Sequence, residues 1–204
     1  MKSAILLLFA GLVVFSSCQK EHLKDLSDDE SRIYITQKAS NVNFSNYETF
    51  SIADTILVVD GNNVQRLSAV QDMGFINAFK QQMEARGFRY VDRTESPDLG
   101  LQISRIIRTS SGVIWRDYYD YWTPGYWGSG YGWGSNPNWW SYPMYYETSE
   151  GMLSFDLVDL KTAESSSQLQ IVWNGLIRGS GIYNESAMPS QIAQLFEQSP
   201  YLKP

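Results

Sequence analysis

From Gly151 to Thr162 the chain reads Gly-Met-Leu-Ser-Phe-Asp-Leu-Val-Asp-Leu-Lys-Thr. Leu153, Phe155 and Leu157 alternate with Ser154 and Asp156, the period of two that puts successive side chains on opposite faces of a strand. The apolar set predicts a core face. The polar set predicts a solvated one, with Asp156 an exposed strand residue and Asp159, Lys161 and Thr162 forming the turn that follows. Leu169, Ile171 and Trp173 repeat the pattern downstream, and Leu99, Leu101 and Ile103 repeat it upstream against Gln102 and Ser104.

Further upstream, Ile33 to Gln37 and Tyr47 to Ile52 predict strands, and Ile56 to Val59 runs apolar into the turn signal Asp60-Gly61-Asn62-Asn63. A helix is expected after Ser68 and Gln71, which have capping-box spacing. Met73, Ile76, Phe79 and Met83 would form its inward stripe and Gly87 its C′ residue. Pro189 opens a second, short helix with Ile192, Leu195 and Phe196 inward, closed by Pro200. This order predicts an α+β fold: one domain over 32–204, a largely antiparallel sheet covered by two helices, and a long Gly/Tyr/Trp-rich loop insertion.

Before the domain lies an address. Lys2 is the only charge in the first eighteen residues, Ile5 to Phe15 are apolar, and Ser16-Ser17-Cys18 follow. Eleven helical residues rise about 16 Å, roughly half of a ~30 Å hydrocarbon core, so the run suits an export signal rather than a span. Phe15-Ser16-Ser17-Cys18 resembles a bacterial lipobox, which implies a signal peptide over 1–17 and lipid attachment at Cys18. Residues 18–31, which include His22, read as a solvated tether. Gln19 stands where an inner-membrane retention signal would place Asp. The expected location is therefore the outer membrane, lipid-anchored, on the periplasmic face or the cell surface, with the membrane engaged through the N-terminal lipid.

Composition removes several function classes. Across 204 residues, 16 basic and 22 acidic side chains leave a net charge of −6, which excludes a phosphate-binding, nucleic-acid partner. One Cys and one His exclude a disulfide, a Cys/His zinc cluster and a His-based triad. No cofactor or metal is expected. An enzyme would have to work through carboxylates, and Asp156 and Asp159, three apart on a strand, would face opposite ways. Asp117 and Asp120 are too few for calcium, which takes six to eight oxygens. Ser110-Ser111-Gly112 and Gly179-Ser180-Gly181 lack the strand-elbow-helix frame of a hydrolase nucleophile. Asp54-Thr55-Ile56 looks like an O-glycosylation sequon of Gram-negative envelope proteins.

Five stretches in order resemble one bacterial lipoprotein family, domain of unknown function 4136. They are Phe44-Ser45-Asn46-Tyr47-Glu48-Thr49-Phe50, Arg86-Gly87-Phe88, Pro97-Asp98-Leu99, Gly151 to Thr162, and Val172-Trp173-Asn174-Gly175. The resemblance spans roughly 33–198 and departs at the Ser-rich Ala163 to Gln168. It implies the fold and the lipid-anchored address, and it implies no activity, since the family has none established.

Residues 115–146 hold 14 of the chain's 29 aromatic side chains, interleaved with Gly125, Gly128, Gly130, Gly132 and Gly134. Trp122, Tyr126, Trp127, Trp133, Trp139 and Trp140 are the candidate ligand-binding residues, because Trp and Tyr stack on sugars and anchor protein interfaces at low entropic cost. The competing readings are a poorly ordered insertion, an aromatic flap that covers one sheet face and binds nothing, and rings that settle at the membrane interface. A nucleic-acid stacking platform needs cations, and Arg116 stands alone against Asp117 and Asp120. The function expected is a non-catalytic outer-membrane lipoprotein, an envelope binding or structural module of unknown ligand, with an envelope protein or a glycan as its candidate partner. The alternative is a carboxylate-dependent hydrolase acting on a cell-envelope glycan.

Overall fold

The computed structural model describes residues 27–60, 63–68, 72–108, 151–163 and 169–204. Residues 1–17, expected as a signal peptide, Cys18, most of the expected tether and the aromatic segment 115–146, with Trp122, Tyr126, Trp127, Trp133, Trp139 and Trp140, lie outside them.

A short helix α1 (Asp28–Ser31) leads into β1 (Ile33–Lys38), followed by β2 (Thr49–Ile52), β3 (Thr55–Asp60) and β4 (Asn63–Ser68). Helix α2 (Met73–Ala85) precedes β5 (Arg89–Tyr90) and β6 (Leu99–Arg108); β7 (Met152–Asp159), β8 (Gln170–Arg178) and helix α3 (Met188–Glu197) complete the order. The strands form one sheet in the order β1-β8-β7-β6-β2-β5, with β3 also alongside β6 and β4 outside β3.

The sheet is mixed. The β1-β8-β7-β6 half and the β3–β4 hairpin are antiparallel, whereas β2 runs parallel to β5 and β6, and β3 parallel to β6. Parallel neighbours need a long crossover, and α2 supplies it between the β2–β4 segment and β5–β6. The domain is α+β, with two helices of more than one turn among the described residues.

Two local expectations change. Ser68 ends a strand instead of capping a helix: Asn63–Ser68 folds back on β3, with Ser68 opposite Thr55. The N-cap of α2 is Asp72. The inward stripe of α2 is also rotated, with Phe75, Ala78, Phe79 and Met83 buried and Met73 exposed. Phe75, Phe79 and Met83 lie four apart, so they share one face. Gly74 turns toward Met188 and lets α2 and α3 approach, since a Cβ there would overlap the Met188 sulfur.

Other expectations hold. Gly87 is the left-handed residue after α2, at φ +103°. Ile192, Leu195 and Phe196 of α3 are buried. Against them, the first sheet face presents Leu101, Ile103, Phe155, Leu157, Trp173 and Ile177. Phe155 stacks on Phe79 at 6.0 Å between ring centres and meets Phe75 edge-on at 5.8 Å, and Phe79 meets Phe196 at 5.0 Å. Trp173 lies in the same layer and donates its indole N–H to Ser199 Oγ at 2.9 Å.

The second face departs most from expectation. Ser154 and Asp156 are buried, not solvated, at 0 % and 2 % exposure, as are Gln102, Ser104 and Asn174. Alternation records which side chains share a face. It does not record whether water reaches that face. Here Leu57, Val59, Ile106, Met152, Val158 and Leu176 flank the polar residues with a second buried apolar cluster.

Candidate functional site

Three polar assemblies are built on this frame. The first joins the ends of the signature stretches. Tyr47 donates its hydroxyl to Asp159 Oδ2 at 3.0 Å. Asp159 also accepts from the Thr162 backbone N–H at 2.9 Å and from the Thr162 hydroxyl at 2.6 Å. Alongside, Asp98 Oδ2 accepts the backbone N–H groups of Glu48 at 2.7 Å and Thr49 at 3.0 Å. Its Oδ1 pairs with Lys161 at 3.4 Å, while Lys161 donates to the Asn46 carbonyl at 2.7 Å.

Burial pushes the Asp98 carboxyl up, but the two backbone donors and the Lys161 ammonium outweigh it and hold its pKa below the ordinary carboxylate value. Burial, followed by the Asp159 carboxylate, pushes the Tyr47 phenol up. In the same corner of the molecule, Arg86 donates to the Phe196, Ser199 and Leu202 carbonyls and so closes the C-terminal end of α3. These signature residues are fasteners.

The second assembly is a row across the second face. Gln37, Asn174, Asp156 and Gln102 are successive cross-strand partners over β1, β8, β7 and β6. Asn174 Nδ2 donates to Asp156 Oδ1 at 2.5 Å and to Ser154 Oγ at 2.9 Å. Gln102 Nε2 donates to the Thr55 and Ile103 carbonyls at 3.0 and 2.8 Å. Asp156 thus belongs to this face, while Asp159 belongs to the Tyr47 corner. The structure does not bring the two carboxylates together, as their spacing predicts.

The third assembly closes the end of the first face. The Arg105 guanidinium donates to Asp72 and lies 4.6 Å from the centre of the Tyr183 ring. Asp72 is 1 % exposed, and its second carboxylate oxygen has no partner. The Tyr183 phenol is pushed up to about 12 by burial and the Asp72 charge, against the pull of Arg105. Sequence reading passed over this pair. The available signal was an Arg continuing the apolar series Leu99, Leu101, Ile103 at inward parity.

Among the described residues, no three His, Cys, Asp or Glu side chains gather as a metal site, and no helix is long and apolar enough to cross a membrane. Asp54 is exposed at the bend before β3, and Thr55, the first residue of β3, is half-buried.

A family model described as a domain of unknown function, DUF4136, matches residues 35–201. The chain belongs to the DUF4136 family. The crystal structure of a DUF4136 protein from Bacteroides thetaiotaomicron VPI-5482 superposes with a TM-score of 0.63 at 30 % identity, covering 86 % of this chain and 99 % of that one. A PelC dodecamer from Paraburkholderia phytofirmans gives a TM-score of 0.40 at 11 % identity, covering 84 % of this chain and 98 % of that one. A PDZ domain protein from Parabacteroides distasonis ATCC 8503 gives 0.44 at 15 %, covering 85 % and 37 % respectively. A search of curated proteins gives no match. The matched region of this DUF4136 chain contains all three assemblies and the aromatic segment.

Proposed function

We propose that this protein is a non-catalytic module of the bacterial outer membrane, anchored through a lipid on Cys18 and contacting an envelope protein or a glycan through its aromatic segment. The observation that carries the reading is the use made of the carboxylates. Asp98 fastens a strand start, Asp159 holds Tyr47 and Thr162, Asp156 holds Asn174, and Asp72 pairs with Arg105. An acid/base hydrolase needs two carboxylates flanking one bond. Asp72 and Asp156 lie in separate assemblies, and Asp98 and Asp159, which share the first, are each taken up by structural donors. The chemistry left for recognition is the ring set Trp122, Tyr126, Trp127, Trp133, Trp139 and Trp140.

Two experiments test the reading. Cys18→Ser should move the protein from the membrane to the soluble fraction, since each buried CH₂ of a lipid contributes about 0.8 kcal/mol. A mutant that still pellets with membranes would refute the anchor. Capture from an envelope extract should be lost when the six rings are replaced by Ala and kept when Asp156 and Asp159 are separately replaced by Asn. Turnover of a cell-wall glycan that disappears with either Asn variant would establish the hydrolase instead.

A further inference from the structure

The chain upstream of the domain is fixed to one end of the sheet. Ile33, Arg178, Met152 and Ile106 are successive cross-strand partners, so β1 starts where β8 ends, β7 begins and β6 ends. At the opposite end lies β5, whose Tyr90 is the partner of Phe50, as Phe50 is of Leu99 at the start of β6. From Leu99 to Ile107 β6 rises about 26 Å, eight steps of ~3.3 Å. Before β1, α1 is held by a reciprocal cap. Ser27 Oγ accepts the Glu30 backbone N–H at 3.4 Å, and Glu30 Oε2 accepts the Ser27 N–H at 3.0 Å. Arg32 then donates to the Ser180 and Gly181 carbonyls, each at 3.2 Å. Gly179, at φ +127°, lets these segments touch, since a Cβ there would fall 2.6 Å from the Ser31 carbonyl oxygen. Ser27 therefore leads out of the domain at the Ile106–Met152 end.

We propose that this end of the domain rests on the surface of the lipid bilayer. It carries the exposed apolar side chains Ile33, Met73, Ile107 and Tyr183. Met73 begins α2 beside Asp72, which holds Arg105, and the Tyr183 ring lies against the same guanidinium. Ile107 is two residues further along β6, at the same parity as Arg105. A Tyr and apolar side chains around an Arg suit the headgroup level of a bilayer. Arg105 is already paired with Asp72 and Glu30 is exposed at this end, so the contact is apolar and a zwitterionic bilayer suffices. Tether length selects this end over the other. The nine steps from Cys18 to Ser27 span at most about 32 Å fully extended and about 15–18 Å relaxed. A relaxed tether brings the near end to the membrane. The far end, about 26 Å further along the strands, would need a tether close to full extension. The proposal rests on the lipid at Cys18 and adds the orientation of the domain above it.

The test uses the full, lipidated chain floated on phosphatidylcholine vesicles. The lipid occupies the thiol of Cys18, the one cysteine of the chain, so a fluorophore attaches only to a cysteine introduced elsewhere. Met73→Cys places the label at the near end, and Arg89→Cys, exposed on β5, places it at the far end. Lipids spin-labelled in the headgroup should quench the label at 73 several-fold more than the label at 89. Ile33→Cys should repeat the near-end result, and it stands in for the Met73 variant should that one fail to fold. Equal quenching at the two ends, or stronger quenching at 89, on chains that float with the vesicles overturns the orientation and leaves the anchor standing. A chain that does not float overturns both.

Discussion

Tyr47 and Asp159 meet at 3.0 Å, hydroxyl to carboxylate, although 112 residues separate them. The contact joins the approach to β2 with the end of β7, two strands that lie on either side of β6. It explains why an aromatic in the Phe44–Phe50 stretch and an acid in the Gly151–Thr162 stretch occur in the same chain. Tyr47→Phe keeps the ring and removes the donor, and should cost about 1.5–3 kcal/mol, the usual range for a hydrogen bond to a charged group. Urea denaturation measures it.

The second-face row should behave as a buried network. Asn174→Ala removes the donor to Asp156 and Ser154, and should destabilise by about 1–3 kcal/mol. Replacing Asn174 and Asp156 together by Leu should recover much of that loss, since a matched apolar pair carries no stranded charge. A double variant as unstable as the sum of the singles would show that the network does more than satisfy itself.

Gly175 lies under the Trp173 ring, and a Cβ there would also come 3.0 Å from Leu195 Cδ1. Gly175→Ala should therefore cost about 1–3 kcal/mol through overpacking. The shift in thermal midpoint relative to the wild type reads it directly.

Asp98 acts on the acid side of the stability curve, and Tyr183, together with the raised Tyr47, on the alkaline side. The folded pKa of Asp98 lies below its ordinary value of 3.8, so its contribution is complete above that value and is lost as pH falls through the folded pKa. Tyr183 is raised from 10.0 to about 12, so its contribution is complete below pH 10 and is lost as pH rises toward 12. Asp98→Asn should flatten the acid limb of a stability-against-pH curve, and Tyr183→Phe the alkaline limb. Either variant changing the other limb would contradict these assignments.

Local patterns that depend only on a residue and its chain neighbours were legible from the residues. Leu153, Phe155 and Leu157 share a face because a strand has period two, and Gly87 ends α2 because a left-handed residue there favours Gly. Ile192, Leu195 and Phe196 face inward for the same kind of reason. The family signature was legible too, though not its meaning: Tyr47, Arg86, Asp98 and Asp159 look chemically promising in sequence, and each is occupied as a fastener by a partner far along the chain.

Tertiary structure decided what lies opposite each face. The Asn63–Ser68 strand exists because β3 offers it a partner. The β2 and β3 strands run parallel to β6 because α2 carries the chain across the sheet before β6 begins. Ser154 and Asp156 carry the same alternation whether they face water or a dry layer. Their burial depends on what else the fold brings to that side of the sheet, and no property of the residues themselves encodes it.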